Sequence, residues 1–404
     1  SSSLKTMLKK LTNPLAIIFI TLLLDKLGEN IIFPLLPYIL SAYNPDGMTL
    51  GLLASTSQGV AVLSGPLVGS LSDSIGRRPV IVSCIALNFI SLLIFGWAGS
   101  LSIIFTSRAL GGLGSSTIGT LQAYITDISS PETRSRNLGI SGAAFGLGAI
   151  AGPALGGGLV GFGASVPVFA AAFLTGINLL IGFIFLRETV SEENKKAFDI
   201  SSINIFKSIS RILSRPDLRA VSVSFALFNF SFTAFTSLLV LALKDLYGWS
   251  AGQTSGIFIV VGVVVTYTQV AVVGKLVNRW SEEFVNKSGY LFVSAGILLL
   301  PLAGISNLLT ATLVVGSSIA LAIGASLVLP TARSLVSGLV SSNEQGVQLA
   351  SLASLSGIAS CLGPIIAGWL YDIKPIASFS VEALACLTGW LLLHQQQKQK
   401  KSLP

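Results

Sequence analysis

Charge is what this sequence has least of. Asp, Glu, Lys and Arg make up 10% of the 404 residues, against 52% hydrophobic, where a soluble domain carries roughly 25% charge. Polar linkers are scarce too, and residues 188–216 form the one long polar connection. With a mean hydropathy of +0.80, the chain lies outside the soluble range and leaves no room for a soluble catalytic domain. The single histidine, His394, sits at the inner end of the last apolar run, so imidazole is a poor choice for carrying a coupling proton. No Ser/His/Asp set supports an enzyme. The three cysteines, Cys84, Cys361 and Cys386, lie in apolar runs without metal-type spacing, which excludes a disulfide framework and a zinc site and leaves them as packing residues. No cofactor and no metal is expected.

What is there is apolar length. Runs of about 20 residues, each enough to cross a hydrocarbon layer of roughly 30 Å as a helix, recur over 13–42, 48–72, 79–99, 101–127, 137–162, 165–187, 217–243, 250–276, 288–305, 308–335, 345–370 and 376–394. These twelve predicted spans make an all-α protein of the lipid bilayer. Its 41 glycines suit close helix contacts, because lipid gives helices no hydrophobic reason to associate.

The formal net charge of +8 could suggest nucleic acid, but its placement argues against that partner. Of the 25 Lys and Arg, all but Lys26, Arg108, Lys244 and Lys374 fall in termini and loops on one side of the predicted spans. That is the positive-inside pattern, and it predicts cytoplasmic termini in a multi-pass protein of the inner membrane, expected to be monomeric. Lys9 and Lys10 run into a full-length span, so no cleavable signal is expected, and the missing initial Met reads as a trimmed or tagged start.

The polar connection divides the spans six and six. The expected organisation is an N-terminal six-helix bundle over 1–187, a cytoplasmic linker over 188–216, a C-terminal six-helix bundle over 217–394 and a cytoplasmic tail over 395–404. Within the linker, Ile203, Phe206, Ile209 and Leu213 share one helical face and Lys207, Arg211 and Arg215 another; this fits a helix at headgroup level or a solvated linker helix. The halves echo one another: "GLGAIAGPALGG" (146–157) has a degenerate counterpart in "GIASCLGPIIAG" (357–368), and "GSLSDSIGRRP" (69–79) in "GKLVNRW" (274–280). A parallel repeat of six spans is the architecture of a rocking transporter with its site near the midplane between the halves.

Charge inside a span is the strongest functional signal. Asp25, Lys26 and Glu29 interrupt the first run and Arg108 the fourth. At about 100° per residue, Asp25 and Glu29 lie some 40° apart, and Lys26 and Asn30 complete a sector of roughly 140°, so the four polar groups share one side of the helix. With a rise of about 1.5 Å per residue, Glu29 and Arg108 fall at similar depths, roughly 12 and 10 Å from the outer surface, and a pairing between them is expected. The four charges sum to zero. A carboxyl in a partly dry cavity can take up a proton near physiological pH, which makes Asp25, Glu29 and Arg108 the proton-coupling candidates; the bland alternative is a charge brace between helices.

In "GSLSDSIGRRP", Gly69 permits a close helix contact, Gly76 a tight turn and Pro79 the first turn of the next helix. Asp73 at a helix C-terminus opposes the dipole and needs an Arg or a helix N-terminus as partner; a cytoplasmic charge latch between the halves would satisfy it. On the fourth span Arg108, Gly112, Ser115, Gly119 and Gln122 recur at helical spacing, where close packing and a cavity wall are both open readings. Phe225, Phe228, Phe232 and Phe235 stripe the seventh span beside Asn229, Thr233 and Thr236, either as packing or as an adaptable wall for an amphipathic ligand. Lys26, Asn30, Gln58, Gln122, Phe228, Asn229, Phe232, Thr233 and Gln269 are the substrate-cavity candidates. Gly152, Pro153, Gly156 and Gly157 predict a bent, closely packed fifth span. Glu382, near the outer end of the last span, receives no role.

"GSLSDSIGRRP" resembles the loop 2–3 signature of the major facilitator superfamily. "RALGGLG" (108–114) is similar to its fourth-span signature, and "GAIAGPALGG" (148–157) to the fifth-span signature of its drug:proton antiporters. "LLDKLGENIIFPLLP" (23–37) looks like the first span of the tetracycline-efflux-like group. The resemblance covers the whole chain and implies the major facilitator fold: two pseudo-symmetric six-helix bundles, alternating access and proton-coupled export of a small molecule. It further implies a functional Asp25 and a cytoplasmic latch of Asp73, Arg77 and Asp127; together with Gly69, Gly76, Arg78, Gly152, Pro153, Gly156 and Gly157 these are the gating candidates. Lys26 and Glu29 depart from tetracycline exporters, and Asn278 stands where an acid is expected in the second-half motif, so substrate identity does not carry over. The leading expectation is a proton-coupled antiporter exporting a small amphipathic or cationic organic compound. A lipid or glycolipid transporter of the same fold, or a non-transporting membrane receptor, is the alternative.

Overall fold

The computed structural model describes residues 13–130, 132–195, 197–198, 204–303, 309–341 and 344–402. Lys5, Lys9, Lys10, Lys196 and Ile203, and the side chains of Arg134, Arg136, Lys400 and Lys401, lie outside the described residues. The described residues are mostly helical: α1 Pro14–Ile32, α2 Gly47–Ile75, α3 Arg77–Gly96, α4 Leu101–Ser115, α5 Ile118–Asp127, α6 Arg134–Leu159, α7 Val166–Phe185, α8 Ile205–Leu213, α9 Pro216–Asp245, α10 Ala251–Tyr267, α11 Val273–Trp280, α12 Glu282–Leu302, α13 Thr310–Gly338, α14 Gln345–Ile373 and α15 Pro375–Ser402. The chain is an all-α membrane protein, as expected from its composition.

Among the described residues, ten helices are long and apolar enough to cross a membrane. The two expected spans missing from that set carry the charges that matter most. α1 holds Asp25, Lys26 and Glu29 and ends at Ile32, after which Pro34 and Pro37 interrupt the hydrogen-bond ladder and the chain continues in the short turns Phe33–Leu35 and Leu36–Ile39. The fourth span, which carries Arg108, is broken into α4 and α5 at Ser116 and Thr117, in the glycine- and serine-rich "GGLGSSTIG" (111–119), where helix propensity is low.

Capping sets several boundaries. Asn13 accepts the Leu15 N–H at 3.0 Å ahead of Pro14 at the first turn of α1. Ser250 and Gln253 form a reciprocal capping box at the start of α10. Asp46 accepts the Thr49 N–H at 2.7 Å, and hydrogen bonding from the Thr49 side chain and backbone holds its carboxyl below the usual carboxylate range. α2 receives a further cap from a distant residue, Asp372, whose two carboxylate oxygens accept the Gly47 and Met48 N–H groups at 2.7 and 2.8 Å.

The chain forms two compact units, Ser1–Ile39 with Val60–Ile203 and Leu40–Gly59 with Asn204–Pro404. In the first, α1 packs on α6 and α7, and α3 on α4 and α7, around Ile18, Leu22, Ile81, Ile85, Leu121, Tyr124 and Ile125. In the second, α9 packs on α14 and α15, and α12 on α13 and α15. The α12–α13 contact is made close by glycine: a Cβ on Gly296 would stand 2.8 Å from the Ser317 carbonyl oxygen. Hydrogen bonds from Ser317 Oγ to the Gly296 carbonyl (2.6 Å) and from Asn286 Nδ2 to Thr331 Oγ1 (2.9 Å) hold the pair in register. The linker helix α8 buries Ile205 and Ile212 while Phe206 stays exposed and packs on α14. Its covered face is therefore turned from the Phe206 stripe read in the sequence.

Candidate functional site

α1 lies between two helices of its unit and touches each through glycine. A Cβ on Gly28 would meet Thr175 Oγ1 of α7 at 3.2 Å; a Cβ on Gly148 would meet the Lys26 Cβ at 2.8 Å, and one on Gly152 the Asn30 Cβ at 2.5 Å. Gly148, Gly152 and Gly156, four apart on α6, thus form a smooth track along which α1 rides. Pro153 is buried inside α6, whereas Gly157 is half-buried.

This packing places the charges. Asp25 and Lys26 are buried, while the Glu29 side chain is 55% exposed. Lys26 Nζ lies 3.5 Å from Asp25 Oδ2 and 2.5 Å from Glu29 Oε2, so one ammonium bridges two carboxylates. It also sits 5.0 Å from the centre of the Phe145 ring on α6, a cation–π contact. Asp25 Oδ1 accepts a hydrogen bond from Asn88 Nδ2 of α3 at 3.4 Å. Arg108, half-buried on α4, interacts with Glu29 through charge. Glu29 therefore has two cations acting on it, and Lys26, three residues away on the same helix, makes the short contact. Asn30 Nδ2 is turned back onto the Lys26 carbonyl at 2.8 Å.

Asn88, Phe145 and Gly148 were not singled out from the sequence. Asn88 is the one amide in the largely apolar "CIALNFISLLIF" (84–95), a signal that could have marked it. Its position depends on α4: a Cβ on Gly114 would come within 2.8 Å of the Asn88 Cβ. Ser91 and Ser107 exchange hydrogen bonds with each other's carbonyls at 2.7 and 2.8 Å, clamping α3 to α4.

The remaining candidates are spread through both units. Gln58, Gln122 and Gln269 are exposed, the last within the π-helical turn Thr268–Val272, a helix irregularity often found at functional sites. Phe228 is fully buried, stacked on Phe225 and Phe232 with centroids 6.0 and 5.6 Å away and edge-on to Tyr290, which is the packing arrangement of that stripe. Asn229 Nδ2 donates to the Phe225 carbonyl at 2.8 Å, and Thr233 Oγ1 to the Asn229 carbonyl at 2.7 Å.

The α2–α3 turn gathers its charges within the first unit. Gly76 takes φ 117°, a conformation that favours glycine. Across that turn Arg77 Nη1 pairs with Asp73 Oδ1 at 2.5 Å, and Arg77 Nε with Asp127 Oδ2 at 3.2 Å. Asp73, at the end of α2, has its needed cation four residues onward. Arg78 Nη2 donates to the Phe183 carbonyl at 2.7 Å. Gly69 has open space beside it. Glu188 caps α3 by accepting the Arg77 and Arg78 N–H groups at 2.9 and 3.2 Å, and Thr189 Oγ1 donates to Asp127 at 2.9 Å. Glu188→Ala is expected to lower stability by about 1 kcal/mol through the lost cap, measurable as a lower melting temperature of the purified protein.

A family model for the Major Facilitator Superfamily matches residues 18–364. The chain belongs to the Major Facilitator Superfamily. It is 28% identical over 365 residues to the class C tetracycline resistance protein of Escherichia coli, covering 90% of each chain. It is 26% identical over 402 residues to multidrug resistance protein 2 of Bacillus subtilis, covering 98% of each, and 27% identical to human Major facilitator superfamily domain-containing protein 10, covering 93% of this chain and 89% of that one. Among solved structures, the human organic anion transporter MFSD10 superposes with a TM-score of 0.72 at 23% identity, over 94% of this chain and 98% of that one. As a member of the superfamily, the protein is a multi-pass, membrane-embedded transporter of small molecules, and its relatives are transporters rather than enzymes.

Proposed function

We propose that this transporter is a proton-coupled antiporter that exports a small amphipathic or cationic organic compound by alternating access, with Asp25 and Glu29 exchanging protons. The observation that carries this reading is the bridge from Lys26 to both carboxylates, buried at one end and exposed at the other. Asp25, Lys26 and Glu29 together carry one negative charge, which Arg108 neutralises. A second cation entering beside Glu29 is tolerated when a proton leaves, and a proton taken up by either carboxylate removes the charge that held the cation. Proton and cationic substrate then compete for the same negative charge, which is the thermodynamic core of exchange. Relatives named for tetracycline and multidrug resistance support export of organic compounds.

The same proposal includes the division into bundles 1–187 and 217–394, with the linker 188–216 and tail 395–404, a monomer in the inner membrane, cytoplasmic termini, and the charges of the α2–α3 turn as a gate. The test is a panel of organic cations, anions and neutral solutes in proteoliposomes under an imposed pH gradient. Asp25→Asn is expected to abolish gradient-driven uptake, by at least tenfold, at unchanged expression. Gradient-driven transport by that variant at the wild-type rate would refute the assignment.

A further inference from the structure

The second unit contains an acid that the charge cluster does not explain. Glu382, in α15, is 1% exposed. Its Oε1 lies 2.8 Å from Ser378 Oγ, one turn earlier on the same helix, and its Oε2 is buried without a hydrogen-bond partner. Ser378 Oγ is also 3.0 Å from the carbonyl oxygen of Ala367 on α14.

A serine hydroxyl has one proton, so it cannot donate to both oxygens. Were Glu382 ionised, the Ser378 proton would have to serve the carboxylate. The contact with Ala367 would then set two lone pairs against each other, and the carboxylate would hold its charge on one hydrogen bond in a dry site. If Glu382 carries a proton, both Ser378 contacts are satisfied in sequence: the Glu382 O–H donates to Ser378 Oγ, and Ser378 donates to the Ala367 carbonyl.

Among the described residues, the surrounding elements bring no cation into an ion pair with Glu382. α9 contributes Ser231, whose hydroxyl donates to the Glu382 backbone carbonyl at 2.7 Å, and Phe235, which packs on Phe379. α14 contributes Tyr371, edge-on to Phe379, and α12 contributes Ser294, 3.4 Å from the Ala383 carbonyl. The titratable groups on these elements are Cys386 and His394 on α15, Cys361, Tyr371 and Asp372 on α14, Tyr290, Glu282 and Glu283 on α12, and Asp217 and Asp245 on α9. Among the described side chains their cations are Arg219, Lys244, Lys287 and Lys398, with Lys374 between α14 and α15. Among the described residues none forms an ion pair with Glu382.

We infer that Glu382 is a proton-binding site in the second unit, occupied at neutral pH, whose carboxylic O–H ties α15 to α14 through Ser378. Loss of the proton reverses the Ser378 hydroxyl and releases its hold on Ala367, so this clasp between the two helices depends on protonation. The inference is independent of proton coupling at Asp25 and Glu29.

Infrared spectra of the full-length protein in proteoliposomes test it. At pH 7 the wild type minus E382Q difference is expected to show the carbonyl band of a protonated carboxyl. That band should give way to carboxylate absorption at alkaline pH, and the same difference should persist in a D25N background even if D25N leaves transport unaffected. S378A should shift the band without removing it, because the acid loses its acceptor. Identical wild-type and E382Q spectra in the protonated-carboxyl region would overturn the inference. Should E382Q not fold, an S378A spectrum with the band in its wild-type position would overturn it equally.

Discussion

Lys26→Ala is expected to be among the most destabilising single substitutions in the protein. Lys26 is 4% exposed and its ammonium bridges Asp25 and Glu29. Truncation removes that charge and leaves Asp25, 9% exposed, with a weak hydrogen bond from Asn88 at 3.4 Å. Breaking a buried pair by removing one partner costs about 3–5 kcal/mol, because the remaining charge is left uncompensated. Glu29, with its exposed side chain and the Arg108 charge acting on it, should contribute little to that loss. The penalty is therefore assigned to Asp25, and Asp25→Asn should relieve it: the Asp25→Asn, Lys26→Ala double variant is expected to melt well above Lys26→Ala alone. Thermal melting of the four proteins in one detergent closes the cycle. Strictly additive effects would show that Asp25 does not depend on Lys26 for its charge.

The charge cluster was legible in the sequence because charge in an apolar run has few bland explanations, and helical spacing placed Asp25, Lys26, Glu29 and Asn30 on one side. Which cation makes the short contact was not legible. Depth alone matched Glu29 with Arg108, but a lysine side chain spans three residues of helix, and Lys26 reaches Glu29 without help from another helix. Asn88 carried a local signal, an amide in an apolar run, but its partner did not, and Phe145 was hidden because its role arises from the packing of α1 on the α6 track, which no local pattern in α6 announces. The helices themselves were read well from apolar length. The exceptions follow from the same physics: prolines end α1 early, and a run of glycine and serine breaks the fourth span at Ser116. Glu382 was passed over because it lies near the outer end of the last span, and its burial, to 1% exposure, depends on α9 and α14 closing around α15.

Gly152→Ala should damage the protein, while the same change at Gly158 should not. Both glycines belong to α6, six residues apart. At Gly152 an added Cβ would lie 2.5 Å from the Asn30 Cβ and 2.9 Å from the Asn30 carbonyl carbon. The latter is backbone that moves only if α1 moves. At Gly158 nothing lies within 4 Å. Alanine favours a helix over glycine by roughly 1 kcal/mol, so Gly158→Ala is expected to leave melting unchanged or raise it. At Gly152 that gain meets overpacking of about 1–3 kcal/mol, and the larger consequence is geometric. α1 must be pushed off α6, carrying Lys26 away from Phe145 and Asp25 away from Asn88. Gly152→Ala should therefore lower transport by tenfold or more even where the protein still accumulates in the membrane, and Gly152→Leu should prevent accumulation. Equal melting and equal transport for the Gly152 and Gly158 variants would mean that the α6 glycines do not set the position of α1, and the placement of the charge cluster would then need another cause.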